Sequence, residues 1–450
     1  MKRKVFNRIF LAAFLLMCLI PAVGMLVFGP SKASANEILA SKPKLVKRDG
    51  SLNESVLSDT ADYVSDRFYL RREFITLWSG INTRLFSTSP DDSVLQGKSD
   101  FLYYTETLED FTGSSLENGK LLSAARNLAL MQEYVNSCGG DFLFTVAPNK
   151  NSLYPEYMPS AYENGHENAN AVRLEQLLSA AGVSYADLFS AIGAENRLLY
   201  YRTDSHWNSE GAALGADTLL SALGRESGYY AGSFTAGEEH LGDLYEMLYP
   251  TGTKTETDSV PVSAFTYETA SNPNGGEAMT IETTCAEGSG TLTCWRDSFG
   301  NALYPYLAQS FEKATFLRAS TYDLTKIGES DTVIIELVER NIARLVQNEA
   351  RFPAPKRNVE PQTCREYVLL TAEQSADEEL MRVTVRLPAE LYDFGGSVYF
   401  SVNGNCCEAC VLYPEDSDSA LAGAWIDESE ITELRVICPC SGILTEYISE

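Results

Sequence analysis

Thr291-Leu292-Thr293-Cys294-Trp295-Arg296-Asp297-Ser298-Phe299-Gly300 carries the reading of the fold. Thr291 to Trp295 is a short apolar run of the kind that forms a buried strand. Gly300 permits a tight turn, and Asn301 to Phe311 has helical spacing. A strand handed to a helix through a tight turn is the repeating unit of a parallel α/β sheet. Ser298 falls at the handover, which presents its hydroxyl at the strand's C-terminal end. The same residue would also serve as a plain helix N-cap.

The alternation continues on both sides. Leu121 to Val135, Val172 to Ala181 and Gly211 to Leu223 read as helices, while Phe142 to Ala147, Val183 to Leu188, Ala314 to Leu317 and Val333 to Val338 read as strands. Continuously apolar strands between helices predict a three-layer α/β domain with a parallel sheet over residues 61–355, entered through an amphipathic pattern from Tyr63 to Leu85. The polar, Gly- and Pro-containing stretch at about 241–284 reads as an insertion or lid. Pro353-Ala354-Pro355 marks a boundary, and residues 356–450 form a Cys-rich β domain. There Met381 to Leu387, Ser397 to Val402 and Glu433 to Cys438 alternate in the manner of a small β-sandwich.

The 450 residues are 44 % hydrophobic, enough for a substantial core. With 35 basic against 62 acidic side chains, the net charge of -27 disfavours nucleic acid as a partner. Residues 1–35 read as an export segment: Lys2, Arg3, Lys4 and Arg8 precede an uncharged run from Ile9 to Ser31. Its length favours an uncleaved signal anchor, although Ala33-Ser34-Ala35 also offers a signal-peptidase site, and 36–60 is a polar linker. Everything downstream is then extracytoplasmic, membrane-anchored or secreted. Ten cysteines in an oxidising compartment make disulfides the expected state, with six of them crowded from Cys364 to Cys440. The Cys407-Glu408-Ala409-Cys410 spacing admits zinc, but Cys438-Pro439-Cys440 does not repeat it, so neither metal nor cofactor is expected.

Thr203-Asp204-Ser205-His206-Trp207-Asn208 supplies the other half of a candidate site. Residues two apart in extended chain share a face, which lets Asp204 orient the His206 ring as a general base. Asn208 or Ser209 would cap the helix that follows. The bland alternative makes these residues helix-entry polar groups. Against it, the other two histidines are poor bases: His166 sits in a polar loop, and His240 follows Glu238-Glu239 as a surface site. Asp204, His206 and Ser298 together would make an activated hydroxyl nucleophile.

These residues, with Gly97-Lys98-Ser99-Asp100-Phe101-Leu102-Tyr103, Pro148-Asn149-Lys150, Tyr154-Pro155-Glu156-Tyr157-Met158-Pro159, Gly242-Asp243-Leu244 and Glu336-Leu337-Val338-Glu339-Arg340, resemble the DHHW family. That family is related to the alginate O-acetylation proteins AlgJ and AlgX of the SGNH hydrolase-like group. The resemblance implies a Ser298-His206-Asp204 triad on an SGNH hydrolase-like sheet. It also implies O-acetyl transfer or hydrolysis on an extracellular glycan, and a membrane-bound O-acyltransferase (MBOAT) as partner. Ser205 stands where members often carry His, and Arg296 where many SGNH enzymes carry Gly. Arg296 and Tyr304 are candidate substrate-binding residues, each with an ordinary structural alternative. Tyr399, Tyr413 and Trp425 are stacking candidates if the C-terminal domain binds carbohydrate. The rival reading is a non-catalytic scaffold or glycan-binding protein of a polysaccharide export assembly.

Overall fold

The computed structural model describes residues 2–448 apart from 35–36, 48–49, 87, 114–115, 272–274, 366–371, 378–379, 415–418 and 429–430. Ala35 of the candidate cleavage site thus lies outside the described residues. The N-terminal helix α1, Lys2–Phe28, contains a 24-residue apolar span from Val5 to Phe28. Its length and exposure fit a membrane anchor or a signal segment. The pattern from Tyr63 to Leu85 resolves into two helices, Val56–Arg67 and Arg71–Phe86, broken where Leu70 takes a positive φ of 67°.

The central sheet contains β1 (Asp141–Ala147), β2 (Tyr185–Ala186), β3 (Glu268–Ser271), β4 (Thr280–Thr284), β5 (Thr291–Trp295), β6 (Lys313–Leu317) and β7 (Thr332–Val338). They are arranged in the order β2-β1-β7-β5-β6-β4-β3. Pairs from β2 to β6 are parallel, as the sequence predicts. β4 and β3 then join antiparallel, so the sheet is mixed rather than all-parallel. The correction has a simple source. β4 alternates exposed and buried residues, with Ile281 and Thr283 inward, and such half-polar text reads as loop when its one apolar residue stands alone.

Helix α2 (Asn118–Ser137) covers one face of this sheet, while α3 (Ser209–Ala222) and α4 (Gly300–Ser310) cover the other. Strand periodicity sorts the side chains: Phe142, Phe144, Val146, Val333 and Ile335 face the α2 side, and Leu143, Ile334 and Val338 the opposite side. Every residue of β7 is buried, including Glu336. Truncating a core residue such as Ile335 to Ala costs about 2–5 kcal/mol.

The C-terminal strands form an eight-stranded ladder with a bend. Asn405–Leu412 pairs through 405–409 with Val398–Val402 and through 410–412 with Ala420–Ile426, so one strand passes from one half to the other over a shared core. α2 contacts this ladder as well, where buried Asn127 donates to the Val411 carbonyl at 3.0 Å and accepts from its N–H at 3.1 Å.

The expected disulfides are not found: no two cysteines are joined among the described residues. Geometry accounts for the crowded set. Val398–Val402 runs between the strand bearing Cys406, Cys407 and Cys410 and the strand bearing Cys438 and Cys440. Two strand spacings are about 9.5 Å, beyond the roughly 7 Å that a disulfide can bridge.

Candidate active site

Asp204 and His206 lie in the turn before α3. Asn208 caps that helix, its Oδ1 accepting from Gly211 N–H at 2.9 Å. The segment is not a strand. Asp204 Oδ1 accepts both the backbone N–H of His206 (2.9 Å) and its ring Nδ1 (2.7 Å), a local turn in which the aspartate bonds two residues ahead. The two-residue spacing therefore works through a turn. Trp207 anchors it from behind, fully buried, donating to the Phe299 carbonyl at 3.1 Å.

On the opposite bank, β5 ends at Trp295 and α4 begins at Gly300, with Ser298 between. His206 Nε2 lies 2.9 Å from Ser298 Oγ. Three groups spread over 94 positions thus share one hydrogen-bond chain, Asp204 to His206 to Ser298. With Nδ1–H held by the carboxylate, Nε2 presents a lone pair to the serine O–H. The elbow itself is fixed by Asp297: Oδ1 accepts from Phe299 N–H at 2.9 Å, and Oδ2 from Val338 N–H at 2.8 Å and Asn341 Nδ2 at 3.2 Å. A cation, Arg340, lies over the Phe299 ring at 5.7 Å and the Tyr104 ring at 5.5 Å. A cleft of about 1360 Å³ takes in Asp204, His206, His240, Ser298 and Arg340.

Three residues in and around this site carry more than their sequence context suggests. His240 is not a surface residue of its acidic neighbours; its Nε2 donates to Asp204 Oδ2 at 2.8 Å, and its ring stacks on Tyr201 at 4.0 Å. Asp243 N–H adds a further bond to that oxygen at 2.9 Å. The Asp243 carboxylate in turn takes Ser205 Oγ at 2.6 Å and Ser205 N–H at 2.8 Å. Lys150, buried, donates its ammonium to the carbonyls of Tyr201, Arg202 and Asp204, holding the turn from beneath. The signal for Lys150 and Asp243 was present only as short motif matches, Pro148-Asn149-Lys150 and Gly242-Asp243-Leu244, and His240 had none.

Burial opposes charge on Asp204, but the two imidazoles outweigh it and hold the carboxyl well below the usual carboxylate range. For His206, burial disfavours the cation, yet the adjacent Asp204 charge prevails and raises the ring above the ordinary imidazole value. Burial brings Lys150 down to about 8, against the opposing pull of the Asp204, Asp243 and Glu256 charges. Beneath the elbow, burial and the nearby Asp297 push Glu336 well above its usual value.

Arg296 borders the cleft, but its terminal nitrogens are engaged by the chain itself: the carbonyls of Gly276 (2.8 Å), Ala278 (3.0 Å) and Asp297 (3.2 Å), and Asn301 Oδ1 (2.6 Å). Tyr304 packs against Phe316 and Tyr267 in the core behind α4. Six residues at about 100° each carry it well round the helix from Ser298, so it does not share the serine's face. Asp204, His206 and Asp243 place three ligand atoms within 4.8 Å of one another, as a metal would require, but those atoms are already bonded among themselves and to Ser205.

Residues 94–281 match the family model described as the SGNH hydrolase-like domain of acetyltransferase AlgX, a range that contains Asp204 and His206 and ends before Ser298. The chain is 27 % identical over 173 residues to "Probable alginate O-acetylase AlgJ" of Pseudomonas syringae pv. tomato, covering 37 % of this chain and 42 % of that one. It is 28 % identical over 198 residues to the protein of the same name from Pseudomonas aeruginosa, covering 40 % and 47 %. The chain thus spans under half the length of these relatives. Among solved structures, Bacillus cereus PatB1 with a sulfonyl adduct matches at a TM-score of 0.44 and 18 % identity, over 55 % of this chain and 95 % of that one. A DHHW family protein from Eubacterium siraeum matches at 0.39 and 18 % identity, over 49 % and 85 %. Residues 94–281 are thus similar to the SGNH hydrolase-like domain of AlgX, and about two fifths of the chain is similar to AlgJ.

Proposed function

We propose that this SGNH hydrolase-like protein is an extracytoplasmic O-acetyltransferase that places acetyl groups on a cell-surface or secreted glycan through an acyl-serine at Ser298. The observation that carries the reading is the unbroken hydrogen-bond chain from Asp204 through His206 to Ser298, opening on a broad cleft. Ser298 Oγ attacks the acetyl carbonyl carbon while His206 Nε2 takes its proton. The carbonyl oxygen gains charge, and the Ser298 N–H at the head of α4 is the donor proposed for it. When the tetrahedral intermediate collapses, the bond to the donor oxygen breaks and His206 returns the proton to that oxygen. A sugar hydroxyl then gives its proton to His206 and attacks the acyl-serine; as that second intermediate collapses, the bond to Ser298 Oγ breaks and His206 returns the proton to it, regenerating free Ser298 and neutral His206. Asp204 stays ionised throughout and steadies the imidazolium.

Water in place of the sugar hydroxyl would make the protein an acetylesterase; that the AlgJ relatives are named as probable alginate O-acetylases favours transfer. The cleft also includes Ser34, Glu37 and Ile38, at most ten residues past the end of α1 at Phe28. An extended chain of that length reaches about 35 Å at most. Such closeness to the proposed anchor supports a membrane-bound O-acyltransferase (MBOAT) as the partner that delivers the acetyl group. The test is incubation of the purified protein with a small acetyl ester, followed by peptide mass spectrometry. One added acetyl group on the Ser298 peptide is expected, lost in Ser298→Ala. Undiminished turnover by that variant would overturn Ser298 as the nucleophile, whereas a wild type that forms no acyl-serine and turns over no ester would leave the glycan-binding scaffold.

A further inference from the structure

The helix Arg71–Phe86 is docked the wrong way round for a water-soluble protein. Its polar side holds it to the domain: Arg72 pairs with Glu246, Thr76 Oγ1 accepts from Thr251 at 3.1 Å, Ser79 is buried, and Thr83 Oγ1 meets the Tyr249 hydroxyl at 2.8 Å. Its apolar side is left uncovered, with Leu77, Ile81 and Leu85 bordering an open groove shared with Leu102, Leu248 and Tyr249. Leu77, Trp78 and Leu85 are 61, 58 and 72 % exposed, and Ile81 is exposed between them. At about 100° per residue, Leu77, Ile81, Leu85 and Trp78 fall within one arc of roughly 100°, diametrically opposite the arc of Arg72, Thr76, Ser79 and Thr83. Scattered exposed apolar residues need no explanation, but a contiguous stripe with a tryptophan does.

The location of the stripe says what covers it. The end of α1 packs directly on the approach to this helix: the Phe28 and Tyr69 rings stack at 5.0 Å, and Ser31 N–H donates to the Arg67 carbonyl at 2.9 Å. Gly24 lies so close beneath the Tyr69 ring that a Cβ would fall 2.2 Å from it. The helix therefore starts two residues beyond a ring seated on the last turn of the apolar span. An apolar arc carrying Trp, flanked by Arg84, is the composition of a helix lying in a membrane interface.

We infer that Arg71–Phe86 lies along the outer surface of the bilayer crossed by α1, with Leu77, Trp78, Ile81 and Leu85 seated at the headgroup boundary. The inference rests on reading α1 as a retained anchor. The consequence is orientation: the catalytic domain is held by two contacts, one across the bilayer and one along it, which fixes the cleft relative to the membrane.

The full chain, reconstituted in phosphatidylcholine and phosphatidylglycerol vesicles with brominated acyl chains, tests this. The fluorescence difference between wild type and Trp78→Phe isolates Trp78 from Trp207, Trp295 and Trp425. That difference signal is expected to fall by more than half with brominated lipid and to resist aqueous iodide, and Ile81→Glu is expected to reverse both. Quenching by iodide and not by bromine overturns the inference. So does protection from both, which would mean that a protein surface covers the stripe. Alkaline carbonate extraction separately reports on α1: release would reject the anchor, and the freed chain added to the same vesicles still gives the same two-way readout for the helix.

Discussion

His240 donates to Asp204 Oδ2 at 2.8 Å, so the carboxylate that steadies His206 carries a second imidazole. Two rings compete for one negative charge. Replacing His240 by Ala removes a hydrogen bond to a charged group, worth about 1.5 kcal/mol, so kcat is expected to fall about tenfold with little change in KM. It also takes positive charge away from the Asp204–His206 pair, which moves the acid limb of the pH profile upward. A variant with unaltered kcat and an unaltered limb would make His240 packing only.

The wild-type pH profile follows from the same pair. Neutral His206 is the form that accepts the Ser298 proton, and its folded-state pKa is raised above the ordinary value of about 6.5. Activity on an acetyl ester is thus expected to climb with pH through a midpoint above 6.5. Stability runs the other way. A raised imidazole pKa contributes stability that is complete below about 6.5 and is lost as pH rises through the folded value. Parallel measurements of kcat/KM and melting temperature against pH should show activity rising where this contribution fades. Because His206 and His240 share Asp204, the observed midpoint belongs to the coupled group.

Ser298→Ala is expected to lower kcat about 10,000-fold or more, and Ser298→Ala with His206→Ala little further, since the two act as one unit. Additive losses in the double variant, measured under identical conditions, would contradict a shared proton path. Circular dichroism should stay unchanged, because Ser298 Oγ is bonded to His206 at the cleft rather than packed in the core.

Much of this was legible in the chain because the relevant signals are local. The run Thr291 to Trp295 became β5 without a shift of a single residue, and α2 and α3 extend their expected helices by only a few residues. Asp204, His206 and Ser298 could be nominated because Asp, His and Ser are the types the chemistry needs. What stayed hidden depends on approach in space. His240 looked solvent-facing because its sequence neighbours are acidic, yet the hairpin of Phe234–His240 with Glu256–Pro261 sets it against Asp204. Arg296 stood as a substrate-binding candidate beside an ordinary structural alternative, and the Gly276 and Ala278 carbonyls that engage it come from a stretch read as insertion. Cysteine crowding suggested disulfides, and only strand order shows that the crowded thiols lie too far apart.

Lys150 offers a test of how the Asp204 turn is built. Its three ammonium donors meet the carbonyls of Tyr201, Arg202 and Asp204 with no water between. Lys150→Met keeps the volume and removes every donor, leaving the Tyr201 and Asp204 carbonyls without that partner while the Arg202 carbonyl keeps Leu102 N–H at 2.8 Å. A loss of about 3 kcal/mol or more is expected by denaturant titration, with kcat reduced because Asp204 is no longer held. Equal stability of the variant would mean that the turn is self-supporting.

Glu339 makes a prediction about alkaline stability. It is fully buried, and burial together with the nearby Asp110 pushes it up to about 8. Oε2 accepts from Asn149 N–H at 2.8 Å and Ser152 Oγ at 2.6 Å, whereas Oε1 has no partner among the described residues. The folded protein therefore holds a proton that the unfolded chain releases at about 4.3. Between that value and about 8 the unfolded state binds fewer protons, so stability falls as pH rises; above about 8 the whole penalty applies. Glu339→Gln supplies a neutral group of the same shape. It is expected to match wild type at pH ~5 and to exceed it by a few kcal/mol at pH ~9, because only the wild type must then bury a charge or give up its proton. Chemical denaturation of both proteins at the two pH values decides it. A wild type whose stability is flat across the range, with no alkaline gain in the variant, would mean that Glu339 is ionised in the fold after all.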